Sequence, residues 1–319
     1  MKKKFTTATA ALVLVTVTAC GSGGSDRADD GTITMGFAQV GAESGWRTAN
    51  TESIQQAAEE AGIELQFSDA QQKQENQIRA IRSYIQQDVD IIAFSPVVET
   101  GWDAVLLEAQ RADIPVILTD RAIDSEDTSL YETFLGSDFV EEGRKAGQWL
   151  VENSEGRTNV VELQGTTGAA PAIDRKEGFE EVIADHPDIE IIATQTGDFT
   201  RAGGKEVMEA FLRSHDDIDV VYSHNDDMGL GAIEAIRAAG LKPGEDIRII
   251  TVDAVEAGMQ ALAAGEINFI VECNPLLGEQ LMELAEQVLA GEEVPERVVV
   301  EETAFTQEEA KAALPDRRY

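Results

Sequence analysis

Residues 218–236 read IDVVYSHNDDMGLGAIEAI. A short β-branched run stops at Asn225, Asp226 and Asp227, and a helical pattern begins at once. A strand running straight into a helix is the repeating joint of an α/β fold, with parallel strands and right-handed helical crossovers. The amide and two carboxylates at the joint admit three readings: a helix cap, a metal or catalytic site, or a surface for a small polar ligand. In open parallel sheets ligands bind beyond the carboxyl ends of the strands, so the other strand ends decide among them.

The same alternation runs outward from Thr32. TITMGFAQV, ELQFSDA, DIIAFSP and PVILTDR have strand length, and helical segments near 46–61, 74–87 and 101–112 fall between them. A second series comprises TFLGSD, NVVELQG, IEIIATQTGD, DVVYSHND, IRIITVD and INFIVECN. Two α/β lobes of similar build follow. The late segments PLLGEQLMELAEQVL and RVVVEETAF read as a helix and a strand returning to complete the first lobe. A chain of 319 residues with 43% hydrophobic content can bury two such cores.

The strand ends are consistently polar. PVILTDR ends in Asp120 and Arg121, VVYSHND in Asn225 and Asp226, IITVD in Asp253, and IVECN in Asn274. GAESGWR places Glu43, Trp46 and Arg47 at the mouth of the first strand, and Asp174 and Arg175 open the helix after NVVELQG. One Asp or Asn at such a junction is usually a cap, the role expected of Asp227. Arginine has no capping role at a helix N-terminus, where the dipole disfavours it. Carboxylates and amides accept from hydroxyls, guanidinium donates in a fixed fork, and an indole face packs on a C–H surface. The set suits a neutral polyhydroxylated ligand.

Other features exclude alternatives. Sixty acidic residues against 25 basic ones give a net charge of −35, which repels nucleic acid and anionic membrane surfaces. GDFTRAGGKE lacks the first glycine of a phosphate loop and carries Glu206 where Ser or Thr should hold magnesium. His186, His215 and His224 have no metal-ligand spacing, and His224 reads as a core imidazole. No catalytic residue, metal or cofactor is expected, and Gly229-x-Gly231 is read as helix packing.

MKKKFTTATAALVLVTVTAC opens the chain with three lysines, a short apolar stretch and small residues before Cys20. Residues 1–19 read as an export signal. Val17–Cys20 resembles a lipobox, which implies a diacylglycerol on Cys20, with residues 20–31 as a flexible tether to the outer face of a membrane. Cys273 is then the one remaining cysteine, read as a small buried hydrophobe rather than half of a disulfide.

The runs QVGAESGWR, DAQQKQENQI, PVVETGW, VVELQGTTGA, AIDRKEGF, TGDFTR, KEVMEAF and HNDDMGLGAI resemble the pentose- and hexose-binding proteins of bacterial ABC importers, in particular their galactofuranose-binding branch. The resemblance covers nearly everything from residue 33 onward. It implies a type I periplasmic binding protein: two Rossmann-like lobes, residues 32–136 plus 276–303 and 137–275 plus 304–319, joined by three hinge segments. It implies that Trp46 and Phe199 flank a monosaccharide, and that Arg47, Asp120, Arg121, Arg175, Asn225 and Asp253 hydrogen-bond it. Glu43, Asp226 and Asn274 complete the expected set. The implied partner is an ABC permease served by a monomer, the alternative being a sugar sensor coupled to a membrane receptor.

Overall fold

The computed structural model describes residues 31–319. The expected export signal, Cys20 and nearly all of the tether lie outside the described residues. In chain order the elements are β1 (Thr34–Gln39), α1 (Gly45–Ala61), β2 (Glu64–Asp69), α2 (Gln74–Gln87), β3 (Ile91–Phe94), α3 (Asp103–Arg111), β4 (Val116–Thr119), β5 (Thr133–Gly136), α4 (Phe139–Glu152), β6 (Thr158–Gln164) and α5 (Ala170–Ile183). There follow β7 (Ile189–Thr196), α6 (Arg201–Ser214), β8 (Val220–Ser223), α7 (Asp226–Ala238), β9 (Arg248–Asp253), α8 (Glu256–Ala264), β10 (Phe269–Glu272), α9 (Gly278–Leu289), β11 (Arg297–Val299), β12 (Ala304–Phe305) and α10 (Gln307–Ala313). Among the described residues no helix is long and apolar enough to cross a membrane.

Two six-stranded sheets result, ordered β11-β5-β4-β3-β1-β2 and β12-β10-β9-β8-β6-β7. Every pairing is parallel except β10 with β12. The central strands IIAF, VILT and VVYS are buried at every position, as parallel strands covered by helices on both faces must be. The chain is an α/β protein of two lobes. It passes between the sheets three times: after β5, after β10, and between β11 and β12.

Two groupings differ from the sequence reading. TFLG, placed by spacing in the second series, is β5 of the first sheet. RVVVEETAF is not one strand: Arg297–Val299 edges the first sheet beside β5, and Ala304–Phe305 pairs antiparallel with β10 in the second. Periodicity cannot reveal a break of this kind, because both halves keep a strand-like pattern. The helix before it does return to the first lobe, where Leu281, Met282 and Ala285 of α9 share a core cluster with Ile54 and Ala58 of α1.

Glycines set the spacing of two helix pairs in the second lobe. A Cβ on Gly143 would lie 2.2 Å from the Arg175 carbonyl oxygen, and one on Gly178 would lie 2.0 Å from that of Val140, so α4 and α5 meet backbone to backbone. Gly231 does the same for α7 against Arg201 of α6, at 2.1 Å, bearing out its reading as a packing residue. Trp46, on α1 of the first lobe, packs into the second-lobe cluster with Phe139, Val255 and Cys273. The lobes are therefore closed on one another.

Candidate ligand site between the lobes

The first-lobe wall is built on the turn from β1 into α1. Ser44 caps α1 by accepting from the Arg47 amide at 3.1 Å, which fixes the helical turn carrying Trp46 and Arg47. Arg47 donates Nη2 to Asp120 Oδ2 at 2.6 Å, Nε to Glu43 Oε1 at 3.1 Å, and Nη1 to Gln39 and Ser95. Burial opposes the Arg47 charge, but Asp120 and Glu43 outweigh it and hold the guanidinium above its ordinary range. Burial likewise opposes ionised Asp120, and Arg47 and Arg121 reverse it, so Asp120 stays a carboxylate. Arg121 lies 3.5 Å from Glu43 and 3.6 Å from Asp120, and burial with Arg47 alongside brings it down to about 10. It remains a cation at neutral pH.

The second-lobe wall centres on Arg175 of α5. Its Nε donates to Glu142 Oε2 at 2.6 Å, its Nη1 to the His224 carbonyl at 2.6 Å, and its Nη2 lies 3.7 Å from Asp253. His224 is a fully buried imidazole 3.0 Å from Glu162, as the core reading expected, and its contribution to the site is that carbonyl. Asn225 accepts from the Met228 amide as the cap of α7 and donates to the Phe199 carbonyl. Of the three roles that the sequence left open, it takes that of the helix cap while also lining the space between the lobes.

Asp120, Phe199 and Asp253 all take positive φ, at 64°, 59° and 120°. Left-handed backbone costs a non-glycine residue about 1–2 kcal/mol, and such residues gather where a site must aim its side chains. Phe199 has room because it lies over Gly165, where a Cβ would come within 1.9 Å of the ring.

Together these walls face a narrow space between the lobes. Glu43, Trp46, Arg47, Asp120, Arg121, Arg175, Phe199, Asn225 and Asp253 all line it, from both lobes. Three of their buried polar atoms have no hydrogen-bond partner among the described residues: Glu43 Oε2, Asp253 Oδ2 and Arg121 Nε. Two acceptors and one donor are thus left in a site otherwise closed by ion pairs, the condition that hydroxyl groups satisfy.

Two expected residues do not line the cavity. Asp226 is turned into the second lobe, where it accepts from the Thr251 hydroxyl and, at 2.8 Å, from the Val255 amide. It lies one residue beyond Asn225 on α7, and the helical turn sends its side chain to another face. Asn274 sits in the second crossing, where its Oδ1 accepts from the Leu276 amide and closes a turn. Asp227 does not cap its own helix: its Oδ2 accepts from the Gly45 amide at 2.8 Å, across the cleft. Four further residues, Ser44, Phe139, Pro171 and Cys273, line the space. Glu142 stands behind it, and its signal in the sequence was an acid on the apolar face of FVEEGRKAGQWL.

A model of the periplasmic binding protein domain matches residues 35–293, most of the chain. The chain belongs to the periplasmic binding protein family. Among the relatives of this periplasmic binding protein, the galactofuranose-binding protein YtfQ of Escherichia coli K12 is 53% identical over 193 residues. That alignment covers 60% of this chain and 61% of the relative, less than two thirds of its length. A Mycobacterium smegmatis protein solved in complex with β-D-fucofuranose is 66% identical, with a TM-score of 0.88, over 89% of this chain and 95% of the other. The periplasmic component of the arabinose transporter of Shewanella sp. ANA-3, bound to α- and β-L-arabinofuranose, is 51% identical, with a TM-score of 0.87 over 89% and 95%. Such relatives are binding proteins rather than enzymes.

Proposed function

We propose that the protein captures an aldose in its furanose form in the closed cleft and presents it to an ABC importer. The observation that carries this reading is the set of three unpartnered polar atoms facing the space between the lobes. Glu43 Oε2 and Asp253 Oδ2 accept from ring hydroxyls, one from each lobe, and Arg121 Nε donates to a ring or hydroxyl oxygen. Trp46 and Phe199 supply the apolar faces, and Arg47, Asp120, Arg175 and Asn225 hold the walls in place. Because both lobes contribute, the sugar favours the closed state through contacts that exist only there.

The furanose form is supported by relatives whose bound sugars are furanoses. Galactofuranose is the ligand we assign first, and the lobe boundaries at 136/137, 275/276 and 303/304 belong to the same reading. So do an extracytoplasmic monomer, a lipid anchor on Cys20 and release to a permease. Cys20→Ser tests the anchor: the protein should leave the membrane fraction or go unprocessed, and an unmodified mature N-terminus elsewhere refutes lipidation. Isothermal calorimetry with locked methyl galactofuranoside, methyl galactopyranoside and ribose tests the sugar. The furanoside should bind tightest and be recovered intact, and tighter binding of either competitor overturns the assignment.

A further inference from the structure

We propose that Glu142 and Glu302 share one proton where the three crossing segments meet, and that this proton holds Arg175 in position for the ligand. Glu302, on the third crossing, accepts through Oε1 from the Ser137 hydroxyl of the first crossing at 2.5 Å and from the Asn274 amide of the second at 2.9 Å. A carboxyl oxygen of Glu302, one of Glu142 and the Cys273 thiol lie within 4.8 Å of one another. Glu142 is 1% exposed. Its Oε2 is occupied by Arg175, and its Oε1 has no donor among the described residues. Two buried carboxylates this close repel, whereas one proton between them gives a strong hydrogen bond and satisfies that oxygen.

The surroundings agree with a retained proton. Burial, then Glu142, pushes Glu302 up to about 9, and burial also raises Glu142 despite Arg175. The Cys273 thiol lies 3.5 Å from the Ser137 hydroxyl and is pushed well up by burial, so it stays neutral. Lys145 donates to the Glu302 carbonyl at 3.1 Å, Arg297 to the Ser137 carbonyl at 3.2 Å, and Asp253 lies beyond Arg175. A divalent cation in place of the proton would face the Arg175 guanidinium already bound to Glu142. With one oxygen on the proton and the other on Arg175 Nε, Glu142 is fixed, and Arg175 is held toward Asp253 and the cavity.

The sign of the pH effect follows. A carboxyl near 4.5 in the unfolded chain and about 9 in the folded one is protonated only in the folded state between those values. This group therefore makes stability fall as pH rises through that window and level off above it. Gln at 302 donates the same hydrogen bond without taking up a proton.

The test is thermal unfolding of the unliganded protein from about pH 5 to about pH 9.5, for the wild type, Glu302→Gln and Glu302→Ala, with calorimetry on methyl galactofuranoside. Glu302→Gln should flatten the stability profile and bind within about threefold of wild type. Wild-type affinity alone should decline above about pH 9, and Glu302→Ala should lose about tenfold or more. Parallel profiles for wild type and Glu302→Gln, or a loss in Glu302→Gln equal to that of Glu302→Ala, overturn the shared proton. The binding readout rests on the sugar reading. If the wild type binds no furanose, that reading fails, and the unliganded profiles still decide the proton.

Discussion

The amide of Gly45, first residue of α1, donates to Asp227 Oδ2 of α7 at 2.8 Å across the cleft. A carboxylate of one lobe thus caps a helix of the other, and α1 has no acid of its own in its first turn. The bond exists only when the lobes are together, so it stabilises closure and not the fold of either lobe. Asp227→Ala should weaken sugar binding by about 0.5–2 kcal/mol, the worth of a helix cap, chiefly through a faster off-rate. Stopped-flow release checks it, with unliganded thermal stability expected to stay near wild type.

Arg47 and Arg121 should separate stability from binding. Arg47 commits Nε and both Nη groups to Glu43, Asp120, Gln39 and Ser95, so Arg47→Ala leaves two buried carboxylates short of their cation. Breaking such a buried pair costs about 3–5 kcal/mol, and the unliganded protein should lose stability on that scale. Arg121→Ala leaves both carboxylates on Arg47 and removes an unpartnered donor of the cavity lining, so its loss should appear in affinity, by about 1.5–3 kcal/mol. Denaturant unfolding beside calorimetry separates the two, and the reverse pattern would contradict the assignment of Arg121 Nε to the sugar.

Gly165→Ala places a methyl group 1.9 Å from the Phe199 ring. The ring must leave its place in the wall or the strand end must shift, at about 1–3 kcal/mol. Affinity should fall on that scale with the rest of the site untouched, and a crystal structure of the variant should show Phe199 displaced.

Mild acid should favour closure. Asp174 of α5 is pushed up to about 6 by burial and by Glu177, and Glu99 of the first lobe is raised by burial and then by Asp174 and Asp124. The Glu99 amide also donates to the Gly168 carbonyl of the second lobe at 2.9 Å, so closing brings these acids together. The closed form therefore holds protons more tightly than the open form, and affinity should rise as pH falls through about 6. Asp174→Asn should flatten that rise in calorimetry across the range, and an unchanged slope would refute the coupling.

The sequence carried the fold class and most of the cavity in one signal, polar residues at the ends of buried strands. Asp120, Arg121, Asn225 and Asp253 were legible because a strand end in a parallel sheet points one way. Asp226 and Asn274 do not line the cavity for a shared reason: three residues past β8 and two past β10 the backbone has already turned, into α7 in one case and into the second crossing in the other. Glu142 and Glu302 were not legible as a pair. They are 160 residues apart and meet only because the third crossing runs beside the start of α4.

The bare helix contact at Gly143 and Gly178 limits how this site can be re-engineered. Arg175 is set where main chain presses on main chain and by its ion pair with Glu142 of α4, so neither the helix spacing nor that pair can be changed without moving it. A designer seeking a new sugar preference has little freedom on that wall. The adjustable wall is the opposite one, where Trp46 and Arg121 stand on short loops and a helix start, so libraries that vary positions 46 and 121 around an unchanged Arg175 should yield altered specificity at the least cost to folding.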